Sequence, residues 1–170
     1  MLNILVTNLG KYNEGELIGE WLELPAAESE IQKTFDNIGI NEEYEEFFIT
    51  DYDSGIENLK IGEYSNIAVL NELVEMLDNF NEEELKVFDV LLNTYNVEEA
   101  IEKILNGDYA IYYNCGSMED VAYEIVQESG LLDGVPESVA VYFDYEAYGR
   151  DLELDANFQQ INYDTYAVIY

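Results

Sequence analysis

Thirty-eight aspartates and glutamates face only six lysines and arginines in a chain of 170 residues, a formal net charge of -32. Most of these carboxylates have no basic partner within the molecule, so they have to face water or a cationic surface; a buried, unpaired charge costs more than folding supplies. Self-repulsion on that scale works against any compact state. Yet 48% of the residues are hydrophobic, as in a folded protein, and disorder is not the expected response. The excess is also even. Residues 1–60 hold fourteen acids against three lysines, residues 61–107 eleven against two, and residues 108–170 thirteen against a single arginine. An acidic interaction tail would gather its charge at one end; here the whole body is acidic.

That surface excludes several partners. Nucleic-acid phosphates and anionic membranes would be repelled, so neither is expected to bind. There is no run of about 18 apolar residues, and the amino end, MLNILVTNLG, lacks the basic start of a signal peptide. With one cysteine, Cys115, neither an intrachain disulfide nor a thiolate zinc site can form. These features read as a cytoplasmic protein.

The periodicities predict an α+β fold in three small units. In residues 1–62, LNILVTNLG and ELIGEWLEL are expected as strands either side of a turn at KYNEG, with Trp21 as a half-buried strand residue and Pro25 ending the second strand. A helix follows over AESEIQKTFDNIG, with Gly39 at its C-terminal end, and then a third strand over YEEFFITDYDSG. Residues 63–107 have a helical period throughout: one helix opened by Ser65, a second by the Asn81/Glu84 capping box, a third by the Asn96/Glu99 box and closed by Gly107. Glu72, Glu75, Asp78, Glu82, Glu83, Asp89, Glu98 and Glu102 fall on the exposed faces of this helical unit. Residues 108–170 begin with a strand at DYAIYYNCG and a helix capped by Ser117. PESVAVYFDYEAYG fits a helix from Pro136 to Gly149 with Val139, Phe143 and Ala147 on one face, and also fits an alternating strand. Strands at NFQQINY and YAVIY complete a second α+β unit.

The chemistry of catalysis is largely missing. With no histidine, the commonest general base and metal ligand is gone, and Cys115 has no imidazole to activate it. DYDSG (51–55) and DLELDAN (151–157) begin like calcium loops but fail in detail: the first has Ile56 at the position that needs glycine and Gly62 where the twelfth-position glutamate belongs, and the second has Ala156 at position six. Carboxylate pairs of the kind that hydrolyse glycosides arise by accident among 38 acids, so no pair is informative. There is no phosphate-binding glycine loop. No enzyme activity and no cofactor are expected.

What dispersed carboxylates can do together is present a shaped array of negative charge. Duplex DNA carries one charge per about 1.7 Å of axis, so 32 charges match roughly 55 Å of duplex. A compact globule of this length is only about 40 Å across. An elongated body of three units in a row would offer the charge at a DNA-like pitch. Its partner would then be a DNA-binding enzyme whose groove of lysines and arginines is set at phosphate spacing, and binding would weaken steeply with salt.

Three stretches, NLGKYNEGELIGEWLELP (8–25), EEFFITDYDSG (45–55) and LLDGVPESVAVYFDYEAYGRDLELD (131–155), together resemble the ArdA family of antirestriction proteins. The resemblance implies a DNA mimic carried on mobile elements, an elongated three-part homodimer that occupies the DNA site of type I restriction-modification enzymes. The third stretch contains the segment identified with the family's antirestriction motif. On the physics of the residues, Asp144, Glu146, Asp151, Glu153 and Asp155 would face out, Arg150 would pair with Glu146 four residues earlier, and Val139, Tyr142, Phe143, Tyr145 and Tyr148 would pack a core or a dimer seam. The motif could equally serve folding and dimerisation without touching the target. Two other readings of the acidity remain: adaptation to molar salt, and an acidic adaptor for another basic protein.

Overall fold

The computed structural model describes residues 2–154 and 157–170. The fold is α+β, built on two three-stranded antiparallel sheets, and it separates into two compact units, one ending at Leu85 and one running Lys86–Tyr170.

In the first unit, β1 (Leu2–Asn8) lies between β2 (Gly19–Leu24) and β3 (Phe47–Ser54). Alternation sends Leu2, Ile4, Val6, Leu22 and Leu24 to one face, where they are buried. That face packs against Ile31, Phe35 and Ile38, contributed by or adjoining α2 (Glu28–Asn37), and against Ile67, Leu70 and Val74 of α3 (Ile67–Leu77). The first helix of the 63–107 stretch thus shares the core of the N-terminal sheet.

β1 stops earlier than its apolar pattern predicts. The Asn8 side chain is fully buried; its Oδ1 accepts from the Lys11 backbone N–H at 2.9 Å, and its Nδ2 donates to the carbonyls of Ile38 and Gly39 at 3.1 and 3.2 Å. The carboxamide therefore caps a short helix, α1 (Leu9–Asn13), and ties it to the end of α2, so Leu9 and Gly10 are helical rather than extended. A one-residue correction applies to α3, whose cap is Asn66, accepting from the Ala68 N–H; the Ser65 hydroxyl accepts from the Gly62 N–H instead.

α4 (Glu82–Leu91) and α5 (Val97–Asn106) start from the Asn81/Glu84 and Asn96/Glu99 boxes, and Gly107 closes α5 with φ 70°. Their apolar stripes bury Val87, Phe88, Leu91, Ala100 and Ile104. In the second sheet, β6 (Thr165–Ile169) lies between β4 (Tyr109–Tyr113) and β5 (Phe158–Asn162). α6 (Met118–Ser129) starts at the Ser117/Asp120 capping box and sets Val121 beside Tyr112, Cys115 and Val168 in a small core.

Residues 136–149 form neither one helix nor one strand. A single turn, α7 (Glu137–Ala140), is followed by a break and then by α8 (Tyr145–Leu154), which runs through Gly149 instead of ending there. α8 packs along α6. None of α2, α3, α4, α6 and α8 has a lysine or arginine in its last turn.

Candidate functional site

Every described aspartate and glutamate is at least partly exposed. They nevertheless divide by what their oxygens already hold. Glu84 and Glu99 accept the N–H groups of their own cap residues, and Asp120 accepts from the Gly116 and Ser117 N–H groups and the Ser117 hydroxyl, all at 2.7–3.2 Å. Such acids neutralise the donors at helix starts and serve folding. Others lie along the exposed faces of the helices.

Glu72 and Glu75 on α3 and Asp78 at its C-cap are exposed, while Leu70, Val74 and Leu77 are buried. Their spacing of three residues sets one carboxylate per about 4.5 Å of helix axis; one strand of duplex DNA carries one charge per about 3.4 Å. Within this stripe only Glu75 has a bond partner, the Asn71 amide at 3.2 Å. Glu82 and Glu83 lie exposed in the first turn of α4, and Glu98 and Glu102 one turn apart on α5, opposite Ala100 and Ile104. Asp89 is half-buried on α4.

The 141–155 segment is divided by the break before α8. Asp144 sits just ahead of the helix and its Oδ1 accepts the Ala147 N–H at 2.9 Å, so it is the N-cap of α8. Glu146, Arg150, Asp151 and Glu153 are exposed along α8. Among the described residues no ion pair joins Glu146 to Arg150, although they are one turn apart; an exposed pair of this kind gains about 0.5 kcal/mol at best, too little to hold two flexible chains together. Asp155 lies outside the described residues.

The aromatic residues of the segment also separate. Phe143 meets Tyr145 and Tyr148 edge-on, with centroids 4.8 and 5.7 Å apart, and Tyr145 reaches Tyr123 of α6 at 5.3 Å. These rings, half-exposed Tyr123 among them, knit α8 to α6. Val139 and Tyr142 instead point to solvent, 57% and 84% exposed, beside Val141 at 69%. Tyr123 and Gly149, which set this packing, carry no signal in the sequence that would single them out.

Asp144 therefore has a structural task that can be separated from its charge. Asp144→Asn keeps the cap while removing the charge, and should leave thermal stability within about 0.5 kcal/mol of the parent. Asp144→Ala should cost about 1 kcal/mol. Thermal unfolding of the two variants measures the difference; equal losses in both would mean that Asp144 stabilises through its charge and not its cap.

Lys11 and Lys103 are turned to internal work. The Lys11 ammonium lies 3.0 Å from the Tyr44 hydroxyl and 3.3 Å from Glu14, and the same hydroxyl donates to the Glu14 carboxylate at 3.0 Å. The hydrogen bond from Tyr44, and then that from Lys11, holds the Glu14 carboxyl below the usual carboxylate range. Lys103 donates to the Tyr170 carbonyl at 2.7 Å and stands 4.9 Å from the Tyr95 ring centroid. The one thiol, Cys115, is 1% exposed, and its pKa is raised by burial first and by Asp120 and Glu124 second. A protonated, buried thiol is a poor nucleophile. No helix of the described residues is long and apolar enough to cross a membrane.

The geometry is that of an outward acidic surface on a firmly capped scaffold. A family model described as Antirestriction protein (ArdA) matches residues 4–167. No curated protein matches the chain.

Proposed function

The chain belongs to the ArdA family of antirestriction proteins, and from that premise we propose that it inhibits type I restriction-modification enzymes by imitating duplex DNA. Its carboxylates take the places of phosphates in a groove lined with lysines and arginines, and no scissile bond is offered. The observation that carries the reading is the outward placement of the acids: none of the described ones is buried, and stripes such as Glu72, Glu75 and Asp78 are set at intervals near those of a DNA strand. The inhibition is non-enzymatic and needs no cofactor.

An elongated homodimer is part of the same proposal. Val139, Val141 and Tyr142 expose more apolar surface than a solvated turn requires, and a second copy is the occupant that would cover them. Sedimentation at micromolar concentration should then return twice the 19.5 kDa mass of the chain. A single-chain mass would remove the dimer from the proposal.

The decisive experiment is competition with duplex DNA for a purified type I enzyme across a salt series. Displacement should be strong at 50 mM salt and weaken about tenfold or more by 200 mM, because the contacts are between charges in solvent-accessible grooves. No displacement at 50 mM would end the proposal. Cooperative folding in about 0.1 M salt would count against adaptation to molar salt, and capture of a different basic protein in place of the restriction enzyme would favour the adaptor reading.

A further inference from the structure

The inner face of the sheet formed by β2, β1 and β3 is covered by α2 and α3, and among the described residues its outer face is covered only at one end. There, Tyr12 of α1 packs edge-on against Phe48 with centroids 5.1 Å apart, and Thr7 is fully buried with its hydroxyl 2.8 Å from that of Thr50. Gly19, paired with Thr7, leaves no room for a side chain: a Cβ would stand 2.6 Å from the threonine hydroxyl.

The other end is open. The register puts Trp21 and Asp51 on either side of Leu5, and Glu23 and Asp53 on either side of Asn3. With strands about 4.8 Å apart and alternate residues about 6.8 Å apart, the six side chains share a patch roughly 10 by 7 Å. Trp21 is 50% exposed, and Glu23, Asp51 and Asp53 are exposed. Among the described residues, no lysine or arginine forms an ion pair with any of the three carboxylates.

We propose that this open end of the sheet is a docking face for an arginine side chain of a protein partner. The guanidinium plane lies on the indole of Trp21, and Glu23 or the Asp51/Asp53 pair accepts its N–H fork. Charge complementarity sets the sign of the occupant, and the exposed ring sets its kind. A guanidinium is weakly hydrated, stacks on aromatic faces and meets carboxylates two bonds at a time, whereas a lysine ammonium is a compact, strongly hydrated point charge. This goes beyond the imitation of phosphates, since an array of phosphates has no exposed ring, and it does not depend on which basic protein is bound.

Trp21 is the only tryptophan in the chain, so its emission reports on this face alone. The full-length protein is titrated at 0.15 M salt with end-blocked hexa-arginine and hexa-lysine peptides of equal charge. Saturable quenching by hexa-arginine is expected at concentrations at least tenfold below those needed for hexa-lysine. The triple variant Glu23→Gln, Asp51→Asn, Asp53→Asn should weaken the arginine response at least fivefold with unchanged circular dichroism and melting temperature. Neutralising Glu72 and Glu75 on α3 should leave it as it was. Equal responses to the two peptides, or an arginine response that survives the triple substitution, would overturn the docking face, since either is the behaviour of bulk charge. DNA displacement from a type I enzyme is read independently: displacement without arginine preference sinks the docking face and leaves the inhibitory function standing, and the reverse result does the opposite.

Discussion

Gly149→Ala is expected to destabilise the protein by about 2 kcal/mol, lowering the melting temperature by about 4–8 °C. Helix propensity alone argues the other way, because alanine in the middle of a helix is favoured over glycine by about 1 kcal/mol. Space decides the sign. Gly149 is buried where α8 crosses the start of α6, and a Cβ there would collide with the Met118 carbonyl oxygen, fall 2.6 Å from its carbonyl carbon and 3.0 Å from the Glu119 nitrogen. These are backbone atoms at a capped helix start, fixed by the Ser117/Asp120 bonds, so α8 has to move away and take the Tyr145 ring from its place against Tyr123 of α6. Differential scanning calorimetry tests the sign directly. A rise of a few degrees would show that α8 is not seated on α6 as described.

A larger loss is expected at Asn8. Removing its carboxamide strands the Lys11 N–H and the Ile38 carbonyl, while the Gly39 carbonyl keeps only its bond from the Asn41 amide, and Asn8→Ala should cost about 3 kcal/mol, at about 1 kcal/mol for each of the three lost bonds. Asn8→Asp is the sharper test. The aspartate keeps the acceptor for Lys11 but sets a second carboxylate oxygen against two carbonyl oxygens in a fully buried site, so it should be at least as damaging as alanine. Denaturant unfolding of both variants gives the ranking. An aspartate variant as stable as the parent would mean that the carboxamide donates to neither carbonyl.

Those two residues also mark where sequence reading stopped. Strand alternation in β1 and β2 and the Asn81/Glu84, Asn96/Glu99 and Ser117 starts were legible because each is a local pattern, complete within four or five residues. Trp21, expected as a half-buried strand residue, is half exposed. The early stop of β1 was not legible, because Asn8 becomes a cap only when residues 38 and 39 arrive from 30 positions away. In 136–149 the apolar residues satisfy both the helical and the strand period, and the break before α8 follows from Asp144 capping and from the close approach of Gly149 to α6. That acids would lie outside was readable from charge alone. Which of them are committed to caps, as Asp120 and Asp144 are, and which stay available to a partner depends on contacts that composition does not contain.

The bare last turns of α2, α3, α4, α6 and α8 extend the negative surface beyond its side chains. Aligned peptide groups leave about half an elementary charge of negative sign at a helix's C-terminal end, and with no lysine or arginine there that partial charge goes unanswered. At the opposite ends, acids in the first turns of α2, α4, α6 and α8 offset the positive poles of the same macrodipoles. A variant with every free carboxylate turned into its amide would still show a residual negative potential at these five helix ends, supplied by the main chain alone.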